Sequence, residues 1–209
     1  MNERDAAILA GLDDLFPDPQ CALHHRSAFE LLVATVLSAQ STDVRVNQVT
    51  PALFARWPDA RALAAASPEE VIPYIHAVGL FNNKARALVG LARDLVSHHG
   101  GEVPATLEAL TALPGVARKT ANVVLQNVFD VHEGFVVDTH VTRLAGRLGF
   151  TASERPQVIE RDLMARFPRE RWARLSHQLI LHGRQTCHAR RPACDACPLA
   201  LDCPKVGLT

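Results

Sequence analysis

The spacing of apolar residues predicts that nearly all of the chain is helical. Apolar side chains fill "SAFELLVATVLSAQ", and Ser27 with Glu30 has the form of a capping box ahead of this run. Ser67 and Glu70 form a similar pair at the start of "SPEEVIPYIHAVG". In "NKARALVGLARDLVSHHGG" apolar residues recur every three or four positions, which is the period of an amphipathic helix.

One short segment differs from this pattern. "GFVVDTH" combines an aromatic residue with β-branched residues and reads as extended, but it is too short to found a sheet. The predicted class is therefore all-α. No internal repeat or low-complexity linker marks a domain boundary.

Composition limits the class of protein further. With 209 residues, of which 48% are hydrophobic, the chain can bury one sizeable core or two smaller ones that share a boundary. No apolar stretch reaches the roughly 18 residues that span a bilayer, and the N-terminus "MNERDAAILAGLDDLF" lacks the order of a signal peptide. We expect a soluble intracellular protein with no membrane partner.

The balance of charge gives no global sign of a polyanionic partner. The formal net charge is zero and the sequence pI is about 7.2. Binding to nucleic acid would then depend on local groups of cations, such as Arg184, Arg190 and Arg191 near the C-terminus. A solvated charged surface is the alternative interpretation of this group.

Four of the five cysteines lie close together in "CHARRPACDACPLALDC", and they are Cys187, Cys194, Cys197 and Cys203. Such a group in an intracellular protein indicates a metal site rather than disulfides. Only Cys194 and Cys197 form a close pair, whereas structural zinc usually takes two such pairs, so the spacing favours an iron-sulfur cluster over zinc. The remaining cysteine, Cys21, is expected to be a small buried hydrophobic residue.

The cysteine site is expected to be structural. A cluster with four protein ligands has no open position for substrate. Its expected role is to fold the C-terminal segment and to hold Arg190 and Arg191 on a rigid loop.

The segment "TALPGVARKTANVVLQNVF" predicts a tight turn that leads into a buried helix. Gly115 can adopt the positive φ that the turn requires, and the first N–H groups of the helix can bind an anion such as phosphate, with Arg118 beside it. Lys119, in the first turn, would emerge between packed elements, where partial desolvation lowers the pKa of an amine and favours a nucleophilic role. A lysine that extends to solvent is the alternative.

Taken together, these segments resemble the endonuclease III family of bacterial DNA glycosylases and AP lyases. The turn and helix are similar to a helix-hairpin-helix element, and "VDTH" and the C-x6-C-x2-C-x5-C pattern also match the family. Further matching segments follow in order along almost the whole chain: "LLVATVLSAQSTDVRVNQV", "AVGLFNNKA", "GEVPATLEALTALPGV", "RKTANVVL" and "LILHGRQTC".

The resemblance implies a catalytic role for two residues. Lys119 stands where the family's lysine attacks C1′ of a damaged nucleotide and forms a Schiff base, from which β-elimination cuts the strand. Asp138 matches the aspartate that activates the amine or stabilises positive charge on the sugar, and its position ahead of "THVTRL" also suits an N-cap. His140 lies close by, and a structural hydrogen bond is its expected role.

The resemblance also implies which residues contact DNA. Gln40 would enter the space left by the extruded base, and Leu80 would wedge the opposite strand. The hairpin residues Gly115, Ala117 and Arg118 would bind the backbone phosphate. The family's hairpin usually reads Gly-x-Gly, so Ala117 is a departure, and we expect it to weaken DNA binding without abolishing activity.

The fold implied by the resemblance has two helical lobes. A central helical domain would span residues 21–131 and carry the hairpin, and residues 1–20 with 132–209 would form a second domain that holds a [4Fe-4S] cluster. DNA would bind in the groove between them, with Lys119 and Asp138 facing each other. The implied partner is double-stranded DNA with damaged bases or abasic sites. The protein is expected to be a monomer that is located in the cytoplasm and associated with the nucleoid.

The sequence leaves open two alternatives to a bifunctional enzyme for oxidised pyrimidines. A monofunctional glycosylase of the same superfamily would lack a lysine at the position of Lys119. A non-catalytic DNA-binding module held by zinc would make both Lys119 and Asp138 accidental.

Overall fold

Helices form all the regular secondary structure of the computed structural model, which describes residues 1–208. This part of the chain contains eleven α-helices, two 3₁₀ turns at Arg169–Arg171 and Cys194–Ala196, and no β-strand. The prediction of an all-α fold is therefore confirmed. Thr209, the last residue of the predicted second domain, lies outside the described residues.

Two compact units divide the chain, one formed by Met1–Gln20 with His132–Thr209 and the other by Cys21–Val131. Seven helices belong to the second of these, which we call the hairpin unit: α2 (Ala28–Ser38), α3 (Asp43–Arg56), α4 (Ala60–Ala64), α5 (Pro68–Ile75), α6 (Phe81–His99), α7 (Leu107–Ala112) and α8 (Arg118–Val128).

Helix α2 lies at the centre of the hairpin unit. Every residue from Phe29 to Leu37 is buried, and the helix packs against α3, α6 and α8. A short helix that is apolar on all sides can be stable only when neighbours cover each side. Helix α6 completes the core with an amphipathic face that includes Leu88, Leu91 and Leu95, all fully buried.

The predicted helix starts are partly confirmed. The capping box of Ser67 and Glu70 is present in both directions. At α2, the Ser27 side chain accepts the bond from the N–H of Glu30, but the Glu30 carboxylate accepts from the N–H of Arg26 instead of Ser27. The ion pair between Arg26 and Glu30 draws the carboxylate one residue further back, so the predicted box is wrong in its second half.

The other unit, which we call the cysteine unit, contains four α-helices: α1 (Glu3–Leu15), α9 (Thr139–Arg147), α10 (Pro156–Arg166) and α11 (Trp172–Gln185). Its core is built from Ile8 and Leu12 of α1 together with apolar residues of the other three helices, including Leu144, Leu163 and Leu179. Phe135, in the extended segment before α9, is also buried in this core.

Arginine–carboxylate pairs attach α1 to the rest of the cysteine unit. Asp5 is almost fully buried and accepts two hydrogen bonds from the Arg166 guanidinium, at 2.7 and 2.9 Å. Asp13 accepts bonds from Arg171, Arg174 and Gln178. Such paired hydrogen bonds compensate the cost of placing a carboxylate against a protein core.

Candidate active site and cysteine cavity

The hairpin turn between α7 and α8 is packed closely against the rest of its unit. Gly115 has a φ of 76°, as the turn requires. A Cβ at this position would lie 2.9 Å from Cβ of Ala87 and 3.6 Å from Cγ1 of Val36. Only glycine therefore satisfies both the backbone conformation and the space at the turn.

Helix α8 begins directly after this turn. Ala117 is its N-cap, with a φ of −84°, and its methyl group cannot accept a hydrogen bond from the first turn. Its backbone conformation is one that any residue can adopt, so no strain is present at this departure from the family pattern. The helix then buries Ala121, Val124 and Leu125 against the hairpin unit.

Lys119 lies in the first turn of α8, before the buried face of the helix begins. Its side chain is exposed, as are those of Arg118 and Ala117. The expectation that Lys119 would be partly desolvated between packed elements is therefore wrong, because the first turn extends beyond the apolar contacts that start at Ala121. The amine is open to a reactant at this position.

Lysine is rare in this chain, which narrows the choice of a reactive amine. The sequence contains three lysines: Lys84, Lys119 and Lys205. Lys84 is buried, and Lys205 follows Pro204 near the C-terminus. Lys119 is the lysine that combines exposure with a position beside the hairpin turn.

Gln40 and Leu80 belong to two loops of the hairpin unit that lie against each other. We call them the 39–42 loop, between α2 and α3, and the 76–80 loop, between α5 and α6. Both side chains are exposed, and Leu80 is 53% exposed. Gln40 has a φ of 54° and Leu80 a φ of 58°, so each is a non-glycine residue in the left-handed region.

Positive φ at these two residues marks them as unusual. The left-handed conformation costs roughly 1–2 kcal/mol for a residue with a Cβ, and such strained positions are frequent at functional sites. An exposed leucine at a loop tip also loses apolar contact that a buried position would provide. Both residues were predicted to contact DNA, but their backbone conformation could not be read from the sequence.

Asp138 lies at the N-terminus of α9 in the cysteine unit. Its side chain accepts a hydrogen bond from the N–H of Val141 at 2.8 Å, which confirms the predicted N-cap. The carboxylate is half-buried and is held in one orientation by this bond. Its second oxygen remains available for a charge or proton nearby, because the cap uses Oδ1.

His140 stands in the first turn of the same helix and contacts an arginine. Its Nδ1 accepts a hydrogen bond from Nη2 of Arg143 at 3.2 Å, since a guanidinium can only donate. Burial lowers the pKa of His140 from its usual 6.5, and the charges of Arg143 and Arg184 lower it further, while Asp138 opposes them. The ring is therefore a neutral acceptor at neutral pH, and the predicted structural hydrogen bond is confirmed.

Two arginines connect α9 with the segment that carries the first cysteine. Arg143 donates to the carbonyl oxygens of Gly183 and Cys187, at 2.9 and 3.0 Å. Arg147 donates to Sγ of Cys187 at 3.3 Å and to the carbonyl oxygen of His188 at 2.7 Å. Neither arginine was predicted from the sequence, because the residues that each one contacts lie about forty positions later in the chain.

The four clustered cysteines line a common cavity. Burial raises the pKa of Cys197 and Cys203 above the usual value for a thiol, and neighbouring thiols of the group raise it further in each case. This mutual effect requires the sulfur atoms to be near one another. Within residues 1–208 no three His, Cys, Asp or Glu side chains are already arranged to hold a metal ion.

The cavity nevertheless suits a group that binds thiolates. Its wall combines the four cysteines with apolar residues such as Leu144 and Leu199, and it includes Arg147. A positive charge near the sulfurs, and an N–H donor such as that of Arg147 to Cys187, stabilise thiolate ligands. Arg190 and Arg191 are exposed on the loop between α11 and the Cys194–Ala196 turn.

Within residues 1–208, no helix is both long enough and apolar enough to cross a bilayer.

Comparison with known proteins identifies the family. Residues 33–169 match the model of the HhH-GPD superfamily base excision DNA repair protein. Endonuclease III of Synechocystis sp. is 50% identical over 202 residues, which cover 97% of this chain and 92% of that protein. Endonuclease III of Escherichia coli K12 is 43% identical over 190 residues, covering 91% and 90%.

Solved structures agree with the sequence comparisons. A trapped endonuclease III–DNA covalent intermediate superposes with a TM-score of 0.90 at 41% identity, covering 98% of this chain and 97% of that one. A thermostable thymine-DNA glycosylase has a TM-score of 0.84 at 20% identity, a level that shows the shared fold alone. The chain therefore belongs to the HhH-GPD superfamily of base excision DNA repair proteins and, within it, to the endonuclease III family.

Proposed function

We propose that this protein is a bifunctional base excision repair enzyme, a DNA N-glycosylase that also cleaves the abasic site it creates. The observation that supports this most directly is the exposed amine of Lys119, beside the hairpin turn that Gly115 permits. A relative with 41% identity has been solved as a covalent intermediate with DNA, which requires a nucleophile on the protein.

The first step is displacement of the damaged base. The Lys119 amine attacks C1′ as the glycosidic bond breaks, and the base leaves with the bonding electrons and takes up a proton. The new C1′–N bond develops as positive charge builds on the sugar. Asp138 assists as a carboxylate that stabilises this charge or accepts the proton lost by the amine.

The second step cuts the DNA strand. Opening of the sugar ring gives a protonated Schiff base between C1′ and the nitrogen of Lys119. Loss of a proton from C2′ then expels the 3′ phosphate by β-elimination. Water hydrolyses the imine and regenerates the free amine. Apart from the damaged DNA, water is therefore the one reactant that the cycle consumes.

DNA binding is assigned to residues of both units. Amides of the hairpin at Gly115 and Ala117 hold a backbone phosphate, with Arg118 beside them. Gln40 fills the space left by the extruded nucleotide, and Leu80 wedges the opposite strand. Further phosphate contacts come from two exposed arginines of the cysteine unit, Arg190 and Arg191.

A [4Fe-4S] cluster is the proposed cofactor, with Cys187, Cys194, Cys197 and Cys203 as its ligands. Their common cavity and the donor from Arg147 support this assignment. The cluster, when bound, supplies structural cross-linking of the C-terminal segment. Arg190 and Arg191 lie between the first two ligands, so the same ligands restrict the loop that presents them.

The proposed substrates are oxidised or ring-saturated pyrimidines in double-stranded DNA, together with abasic sites. Because the proposed substrate is chromosomal DNA, the proposed location of the enzyme is the nucleoid within the cytoplasm.

Borohydride trapping tests the covalent step. We would incubate the protein with a duplex that contains thymine glycol, add borohydride and resolve the covalent protein–DNA adduct. Lys119→Arg and Lys205→Arg form a matched pair, since each removes one amine and keeps the positive charge. The expected result is an adduct with the wild type and Lys205→Arg, and none with Lys119→Arg.

Other outcomes are equally informative. Release of the base without an adduct would show a monofunctional glycosylase and would overturn the role of Lys119. An adduct with Lys119→Arg would place the nucleophile elsewhere. Failure on both thymine glycol and an abasic duplex, with DNA binding intact, would favour a non-catalytic DNA-binding module.

Metal analysis tests the cofactor separately. The expected result is iron and acid-labile sulfide in equal amounts, with visible absorbance from a cluster, and zinc in their place would overturn the assignment. Cys203→Ser should lose iron, whereas Cys21→Ser, at a cysteine packed against the core of the hairpin unit, should keep it.

A further inference from the structure

Lys84 is buried in the hairpin unit at the junction of the two loops that carry Gln40 and Leu80. Only 5% of its surface is exposed, which is rare for a lysine. Its Nζ donates to the carbonyl oxygen of Leu37 at 2.7 Å and to Oγ of Ser41 at 3.0 Å. The hydrogen-bond acceptors of Nζ within residues 1–208 are thus uncharged.

Burial of this charged amine costs free energy, because the ammonium loses its hydration. Burial lowers the pKa of Lys84 below its usual 10.5. The carbonyl of Leu37 belongs to the last turn of α2, where the negative end of the helix dipole favours a cation. A methionine or leucine would fill the same volume without a charge to desolvate, so packing alone does not explain a lysine.

The bonds of Lys84 join the two loops. Ser41 Oγ accepts from Lys84 and also from the N–H of Gly79, at 3.2 Å, so one hydroxyl links the 39–42 loop to the 76–80 loop. A Cβ on Gly79 would lie 3.5 Å from the carbonyl oxygen of Gln40, which shows how closely the backbones approach. The backbone N–H of Lys84 in addition donates to the carbonyl oxygen of Leu80.

Gln40 and Leu80, two of the non-glycine residues with positive φ, are immediate neighbours of this network. Gln40 precedes Ser41, and Leu80 follows Gly79, so each strained residue is adjacent to a bonded one. A left-handed non-glycine residue persists only where its surroundings fix it. The ammonium and the Ser41 hydroxyl provide that restraint from inside the unit.

We propose that Lys84 is a positioning residue for engagement of damaged DNA: its buried amine fixes the 39–42 and 76–80 loops so that Gln40 and Leu80 project together. This rests on the proposed function in one respect, namely that both residues enter the DNA at the lesion. Without the restraint, the loops spend part of their time in other conformations, and the apparent affinity for lesion DNA falls by the competent fraction.

Equilibrium binding provides a test that does not depend on the chemistry of Lys119. The probes are a duplex with a tetrahydrofuran abasic analogue, which cannot form a Schiff base, and the same duplex undamaged. A 2-aminopurine beside the tetrahydrofuran reports unstacking by its fluorescence. Lys84→Met removes the donors and keeps the length of the side chain, and Ser41→Ala removes the shared hydroxyl.

Arg93→Met is the matched control. Arg93 also lies on α6 and donates to backbone carbonyls, those of Ala64 and Ala66, each at 3.2 Å, but these bonds involve neither loop. We expect the preference of Lys84→Met for the tetrahydrofuran duplex over the undamaged duplex to fall about tenfold, which corresponds to about one tenth of the molecules having both loops in the binding conformation. The fluorescence increase should be lost as well. Ser41→Ala should lose part of both, and Arg93→Met neither.

Each remaining outcome decides the matter. Wild-type preference in both Lys84→Met and Ser41→Ala would overturn the proposal, and Ser41→Ala alone decides it if Lys84→Met does not fold. An equal loss in Arg93→Met would reveal a general effect of stability and would also overturn it. A wild type that traps no adduct but has a lesion preference that depends on Lys84 would overturn the lyase function and leave this role intact.

Discussion

The carboxylate of Asp138 caps helix α9 through the backbone N–H of Val141, at a distance of 2.8 Å. One side chain thereby combines a structural bond through Oδ1 with a negative charge proposed to act on the substrate. The two roles depend on different properties, since an N-cap requires an acceptor oxygen and catalysis requires the charge or basicity of a carboxylate. Substitution can therefore separate them.

Asp138→Asn should retain stability and lose activity. Asparagine is as good an N-cap as aspartate, so the midpoint of thermal unfolding should remain near that of the wild type. Release of thymine glycol should fall at least about 100-fold, because the general base or counter-charge is gone. Asp138→Ala should lose the activity and, in addition, about 1 kcal/mol of stability. Wild-type turnover in Asp138→Asn would refute the catalytic assignment.

Gly115→Ala should destabilise the hairpin unit. The positive φ and the approach of 2.9 Å to Cβ of Ala87 both oppose a side chain there, and together they should cost about 2 kcal/mol in chemical denaturation. Gly146→Ala is the control, because the new Cβ would meet nothing within 4 Å and α9 should gain slightly from alanine. Equal stability of Gly115→Ala and the wild type would show that the turn can accommodate a side chain.

Ala117→Gly should bind DNA more tightly. Removal of the methyl group at the N-cap of α8 opens the hairpin amides to a phosphate, and glycine is also the better N-cap. We expect a gain of about threefold in affinity for the tetrahydrofuran duplex at fixed salt, equivalent to roughly 0.6 kcal/mol. Ala105→Gly, at an exposed bend before α7, should leave the affinity unchanged. Absence of a gain in Ala117→Gly would refute the prediction that Ala117 weakens binding.

Asp13 should make the cysteine unit sensitive to strong acid. Burial raises the pKa of Asp13, but hydrogen bonds from Arg171, Gln178 and Arg174 outweigh it and hold the pKa at about 2, against the usual 3.8. A carboxyl whose pKa is lower in the folded state stabilises the fold above pH 3.8, and this contribution is lost as the pH falls through about 2.

Circular dichroism across this range of pH provides the measurement. The stability of the wild type should decline more steeply between pH 3.8 and about 2 than that of Asp13→Asn, which has no proton to take up. Asp14→Asn, at the adjacent exposed position of α1, is the comparison variant and should follow the wild type. Parallel curves for the wild type and Asp13→Asn would show that the network does not depend on the charge.

Local features of the fold were predictable from the sequence because they depend on neighbours in the chain. The capping box at Ser67, the N-cap at Asp138 and the glycine turn at Gly115 each involve residues within a few positions of one another. Where a distant or competing partner intervened, prediction failed. Glu30 accepts a hydrogen bond from the N–H of Arg26 instead of completing its box with Ser27.

The two lysines of the hairpin unit show most clearly where prediction from the sequence ends. Lys119 lies in the first turn of an apolar helix and was expected to be partly desolvated, but it is exposed. The burial of Lys84 was not predicted, although this residue continues the apolar positions Leu88, Leu91 and Leu95 along one face of α6, a pattern that could have revealed it.

The sequence by itself determined the all-α class, the family and the set of candidate residues, because helical periodicity, caps and motif spacing are written along the chain. Tertiary structure alone decided which amine is buried, which loop residues adopt the left-handed conformation and which arginines contact the cysteine segment. These properties come from contacts such as Lys84 with Leu37 and Arg143 with Cys187, whose partners lie 47 and 44 positions apart. Local propensity carries no information about such pairs, since only packing of the helices brings them together.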